Sequence, residues 1–262
     1  MSGFDPVWLA LREPADRAAR DAGLIERAAA GLRGHMAAQI CDIGAGAGAA
    51  LRAFSPVFPK SCRWTFVDND AEVLAAARQA CGPEVALRQV DLSLEPAPWP
   101  EDCALVTATA FFDLAGAGWV DRFAAALARD RLPLLACLTY DGVMRFAPAH
   151  PLDAAITSAF NRHQQTDKGL GGAALGPKAT PYLVAALQGR GYRCRTALTP
   201  WRLTPAHHGR LIETLVTGIA GAAAEIGDIT AAQAEAWAED RNARLSELQV
   251  GHLDLYAVPP AS

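Results

Sequence analysis

Apolar residues fall along the chain in short, nearly unbroken runs, each ending in a polar or glycine-rich turn. The runs cover 38–43, 64–67, 85–90, 104–108 and 132–138. Between them, at 49–54, 71–80 and 120–129, the apolar positions recur with helical spacing. Strands that are apolar throughout, rather than alternating, have both faces buried. Their alternation with helices therefore predicts βαβ units and a mostly parallel sheet covered on both sides. The right-handed crossover rule stacks such units in a doubly wound order. Ahead of the first strand, residues 6–34 read as one or two helices, with apolar positions from Val7, Leu9 and Leu11 on to Leu24, Ile25 and Leu32.

After the fifth strand the rhythm changes. Residues 141–179 read as a long connection with glycine clusters and a helix over 151–165. A helix over 181–188 stops at Gly189-Arg190-Gly191, and strands follow at 192–198 and 253–258. The intervening stretch opens with Thr204-Pro205, a cap residue before proline at the first helical position. A second helix opens at Thr230 with Gln233 three residues on, a capping-box spacing. The reading is a seven-stranded, doubly wound, mostly parallel Rossmann-like α/β sheet. A helical segment over 1–36 precedes the main domain, 37–262, which carries a lid at 141–179 and a helical insertion at 203–250.

The 262 residues are 51% apolar and 20% charged, ordinary values for a globular chain. A net charge of -4 and mixed signs, with the early arginines set among Asp5, Glu13, Asp16, Asp21 and Glu26, argue against a nucleic-acid partner. The opening shows no basic segment followed by an apolar one, so no signal peptide is expected. No apolar run reaches membrane-spanning length, and the expectation is a cytoplasmic monomer or homodimer. The six cysteines are widely spaced without a C-x-x-C, which predicts reduced thiols and no metal site. H-E-x-x-H, a P-loop lysine and G-x-S-x-G are all missing, which leaves zinc hydrolysis, phosphoryl transfer and triad chemistry without support.

The first strand runs into ICDIGAGAGA, which fits two spacings. Gly44-x-Gly46-x-x-Ala49 matches a dinucleotide fingerprint; Asp42-x-Gly44-x-Gly46-x-Gly48 places an acid before three alternate glycines. In an open parallel sheet, ligands bind beyond the carboxyl ends of the strands, so the polar strand ends converge. These are Asp42, then Asp68 with Asn69, then Asp91 with Leu92, then Thr107 and Thr109. Asp68 suits the two hydroxyls of a ribose, Asp91 an adenine amino group, and Leu92 the ring beside it. The backbone of Gly44, Ala45, Gly46 and Gly48 allows close approach. An acid beside a pyrophosphate is awkward, whereas beside a sulfonium and an ammonium it attracts.

This set resembles the class I, Rossmann-like S-adenosylmethionine-dependent methyltransferases. Their first motif is an apolar strand, an acid and G-x-G-x-G, and ICDIGAGAG, WTFVDND and VDL follow their acidic strand ends. WLALREPADR, VTATAFFDL, AFNRHQ and PWRL resemble a little-characterised bacterial branch of that superfamily. The resemblance implies transfer of a methyl group from S-adenosylmethionine to a small-molecule acceptor. A nicotinamide-dependent oxidoreductase and a non-catalytic S-adenosylmethionine-binding protein are the alternatives. Candidate catalytic residues are Asp113 after the fourth strand, Tyr140 after the fifth, and His163, which continues the stripe of Leu152, Ile156 and Phe160. Arg12 would reach the cofactor's carboxylate if the N-terminal helices cover the crevice.

Overall fold

The structure, a computed structural model, describes residues 6–261; Asp5 and the rest of the first five positions, with Ser262, lie outside the described residues. Helices α1 (Pro6–Ala19) and α2 (Ala22–Leu32) precede β1 (Gln39–Ile43), α3 (Ala49–Phe54), β2 (Arg63–Asp68), α4 (Ala71–Cys81), β3 (Ala86–Gln89) and β4 (Cys103–Thr109). Then come α5 (Ala117–Arg129), β5 (Leu134–Ala147), α6 (Asp153–Gln164), α7 (Ala179–Gln188) and β6 (Arg193–Leu198). The chain closes with β7 (Trp201–Leu203), α8 (Pro205–Glu225), α9 (Ala231–Arg244) and β8 (Glu247–Val258).

The sheet order is β3-β2-β1-β4-β5-β8-β6, with β7 paired beside β8. The β3-β2-β1-β4-β5 part is parallel, and β8 lies antiparallel to β5, β6 and β7. Eight strands thus stand where seven are predicted; the extra one is the three-residue β7. Successive residues of each strand feed opposite faces. Cys41, Ile43, Val106 and Ala108 pack under α5 and α7, with Trp119, Phe123 and Leu187. Ile40, Phe66, Leu105 and Leu135 pack under α2, α3 and α4, with Leu24, Phe54 and Leu74. This double burial is why the strands read as continuous apolar runs.

The main departure from the sequence reading concerns β5 and β8. Both run well past the predicted 132–138 and 253–258, and they pair from Leu134↔Ala257 to Ala147↔Glu247. Asp141-Gly142 has the composition of a turn. It forms a bulge instead, with Gly142 at φ +88° and the Asp141 carboxylate accepting the Val143 N–H at 2.9 Å. The connection expected from residue 141 therefore begins only after Ala147. The extended strands, with β7, form a platform on which α6, α8 and α9 build a third core around Phe146, Trp201, Leu211, Val216, Trp237 and Leu248. As its spacing predicts, α9 opens on a capping box in which the Thr230 hydroxyl accepts the Gln233 N–H at 3.2 Å. Among the described residues no helix is long and apolar enough to cross a membrane.

Candidate functional site

Strand order reverses between β1 and β4, the place where open α/β sheets leave a crevice. A cavity of about 750 Å³ opens there, within the range of about 300–1,000 Å³ common for ligand sites. Its floor is the loop after β1, its sides are the segments after β2, β3 and β4, and α1 covers it with Leu9, Arg12 and Asp16. The predicted residues Asp42, Gly44, Ala45, Gly46, Asp68, Asn69, Asp91, Leu92, Thr109 and Arg12 all line this one cavity.

The loop conformation explains its sequence. Gly44 has φ +61°, and a Cβ there would lie 2.5 Å from the Phe111 ring, so the residue must be glycine for both reasons. Gly48 does not line the cavity. It has φ +77°, and a Cβ would stand 2.6 Å from Cys81 Sγ and 2.9 Å from Phe66. The third glycine of the motif thus serves the packing of α3 onto β2 and α4. Asp68 accepts the Gly46 N–H at 3.0 Å and the Asp70 N–H at 3.2 Å, one on each carboxylate oxygen. It braces the glycine loop and keeps acceptor capacity on both oxygens.

Asp42 is 1% exposed. Burial pushes its carboxyl up to about 7, against the opposing hydrogen bond from Thr107 and the positive charge of Arg20; nearby Asp68 raises it further. Thr107 donates to it at 2.7 Å from beneath and does not itself face the cavity. Asp91 is exposed, and its carboxyl lies below the usual range because Ser93 donates both its hydroxyl and its N–H to it. Thr109 Oγ1 is buried at the cavity with no hydrogen-bond partner among the described residues. The next residue, Ala110, has φ +50°, strained for a side chain and held by its N–H to Cys137 O at 2.9 Å.

Of the candidate catalytic residues, Tyr140 and His163 lie apart from the cavity, and Asp113 is flanked by residues that line it. Tyr140 is buried beneath the third core, where its hydroxyl donates to Asn161 at 2.8 Å and its ring meets Phe160 and His252. His163 points to the end of α8, with Nε2 3.0 Å from Glu225. Its Nδ1 is buried with no hydrogen-bond partner among the described residues. Asp113 sits in a 3-10 turn between the cavity residues Phe111 and Leu114, with Oδ1 unpaired among the described residues; burial lifts its carboxyl to about 6.

Several cavity residues escaped the sequence reading. Asp16 holds Arg12 at 2.9 Å and accepts the Trp201 indole N–H at 3.0 Å, tying α1 to β7. The i,i+4 spacing of Arg12 and Asp16 was the available signal. Leu114, Lys168 and Leu170 enter only through tertiary folding: the 168–170 loop docks on the segment after β4, with Gly116 N–H to Leu170 O at 2.8 Å.

No protein-family model and no curated protein matches the sequence. Solved structures do match in fold. A Bacillus halodurans protein assigned as a methyltransferase has a TM-score of 0.52 at 14% identity, over 90% of this chain and 99% of that one. The YcgJ protein of Bacillus subtilis has a TM-score of 0.50 at 16% identity, over 92% and 98%. A Galdieria sulphuraria protein assigned as a sarcosine dimethylglycine methyltransferase has a TM-score of 0.50 at 14% identity, over 90% and 84%. The likeness is one of fold: this chain has a Rossmann-like α/β fold shared with these solved structures.

Proposed function

We propose that the protein is a methyltransferase that uses S-adenosylmethionine to methylate a small-molecule acceptor. The observation that carries this reading is the cavity's acidic floor and sides: Asp42, Asp68 and Asp91 surround the glycine loop, an arrangement that attracts a cationic nucleoside and repels a pyrophosphate. The sheet argues the same way, because β8 lies antiparallel between β5 and β6, whereas the dinucleotide fold continues 3-2-1-4-5-6. The residues present fit the cofactor. Gly44, Ala45 and Gly46 bring the loop up to the cavity, and the Thr109 hydroxyl, unpartnered among the described residues, and both oxygens of Asp68 offer polar contacts.

When bound, the cofactor supplies an electrophilic methyl on a sulfonium. Asp42 would face its positive end, Asp68 its ribose, and Asp91 with Leu92 its adenine. Arg12, fixed by Asp16, would hold its carboxylate. Phe111 and Leu114 would close the acceptor end against water. Asp113, between them, is the candidate for proton removal, since a carboxyl near 6 is poised to accept a proton at neutral pH. The chain's main contribution is positioning, which needs donor and acceptor about 3–3.5 Å apart and in line.

Calorimetric titration with S-adenosylmethionine and S-adenosylhomocysteine tests the reading. Both should bind below about 1 mM, worth at least ~4 kcal/mol. Asp68→Ala should weaken binding at least about tenfold, through lost hydrogen bonds and a loosened Gly46. Failure of the wild-type protein to bind either compound would remove the proposal.

A further inference from the structure

The cations lining the cavity are not equivalent. Arg12 is paired with Asp16 at 2.9 Å through Nε and Nη2, which leaves Nη1 for the cofactor's carboxylate, and Arg52 is paired with Glu13 at 2.6 Å. Lys168 has no carboxylate within 4 Å among the described residues, and its ammonium donates to the Thr166 hydroxyl at 3.0 Å. An ammonium carries three donors, so two are left for a ligand. Partial burial pulls its pKa down, which is the cost of withdrawing a charge from water without a counter-ion. Glu225, whose charge opposes that shift, is bonded to His163 instead.

The loop that carries Lys168 is held in place. Gly116 N–H donates to Leu170 O and Leu175 N–H to Ala115 O, both at 2.8 Å, and Gly169 N–H donates to Asp167 at 2.7 Å. A charge held on such a loop loses little freedom on meeting a ligand. Beside it, Leu170, Leu114 and Phe111 present apolar surface to the cavity. One cation with no carboxylate within 4 Å among the described residues, in a cavity whose other charges are acidic or paired, matches one negative charge; a dianion would also face Asp42, Asp68 and Asp91.

We infer that the acceptor is a small monocarboxylic acid with an apolar or aromatic body, its carboxylate bound by Lys168 and its body packed against Phe111, Leu114 and Leu170. This rests on the methyltransferase reading for the word acceptor, but the binding of the acid does not. Calorimetry with benzoate, 4-hydroxybenzoate and indole-3-carboxylate, their carboxamides, and phenyl phosphate tests it, with and without S-adenosylhomocysteine. At least one acid should bind ten or more times as tightly as its amide (about 1.4 kcal/mol). Lys168→Met should abolish that preference and Lys168→Arg keep it, with S-adenosylhomocysteine affinity within about twofold of wild type in both. Amides binding as well as acids, or phenyl phosphate binding more tightly than the carboxylates, would overturn the assignment. A large loss of S-adenosylhomocysteine affinity in Lys168→Met would overturn it too, by giving Lys168 to the cofactor's carboxylate. Absence of wild-type binding to S-adenosylhomocysteine sinks the cofactor reading alone, because the acid–amide comparison still stands without it.

Discussion

Asp42 combines near-complete burial with a place on the cavity wall, and burial lifts its carboxyl to about 7. A cation placed against it favours the ionised form, so the bound state has the lower pKa and binding releases a proton whenever Asp42 starts neutral. Affinity for S-adenosylmethionine should therefore hold steady above about pH 7. Below it, affinity should fall by up to about tenfold per unit until the pH reaches the bound-state pKa. Asp42→Asn should bind more weakly with a flatter profile; a wild-type affinity unchanged from pH 5.5 to 8 would show that Asp42 does not face the cation. Asp42 and Asp68 were legible in the sequence because an acid at the end of an apolar strand stands out. The different duties of Gly44 and Gly48 were not, since what a missing Cβ makes room for depends on Phe111, Cys81 and Phe66 arriving from elsewhere in the chain.

Among the elements, the joint between β5 and β8 carries the most tertiary information. Leu138, at φ +57°, forms a bulge whose N–H is accepted by Asp254 at 2.7 Å. The same carboxylate accepts the Thr199 hydroxyl at 3.0 Å and the Asp21 N–H at 2.9 Å. One fully buried residue thus joins β5, the end of β6 and the start of α2. Asp254→Ala should cost about 3 kcal/mol, because it strands buried donors that a charged acceptor had satisfied. Urea unfolding with an unchanged m-value reads this directly, and a loss under about 1 kcal/mol would mean that the bulge holds itself. Cap-bearing helices such as α9 were legible because their stop and start signals are local. The extensions of β5 and β8 were hidden because Asp141-Gly142 and Gly251-His252 read locally as breaks, and only cross-strand pairing makes them continuous.

For the whole molecule, the cavity joins α1, the segments beyond the carboxyl ends of β1 to β4, and the stretch from Gln164 to Leu170, so a ligand there binds the folded chain alone. Saturation at about 100 times Kd stabilises such a protein by about 2.7 kcal/mol. For a chain of this size S-adenosylhomocysteine should raise Tm by roughly 5–10 °C, whereas NAD should not. The reverse order would favour the dinucleotide reading of ICDIGAGAGA. The Glu13–Arg52 pair at 2.6 Å, linking α1 to α3, is one reason the cover and the floor should respond together.

Apolar periodicity and the acidic strand ends by themselves determined the order of strands and helices, the doubly buried sheet and the edge on which the cavity lies. These follow from local chemistry: a run of apolar residues must be buried, and a polar residue ending it must face the rim. Tertiary structure alone decided that His163 meets Glu225 and Tyr140 meets Asn161 outside the cavity lining, that Thr107 supports Asp42 from below, and that Lys168 stands at the cavity with no carboxylate within 4 Å among the described residues. The reason is physical. A side chain's role depends on which partners remain unsatisfied after the chain closes, and those partners lie tens to hundreds of positions away, where periodicity carries no signal.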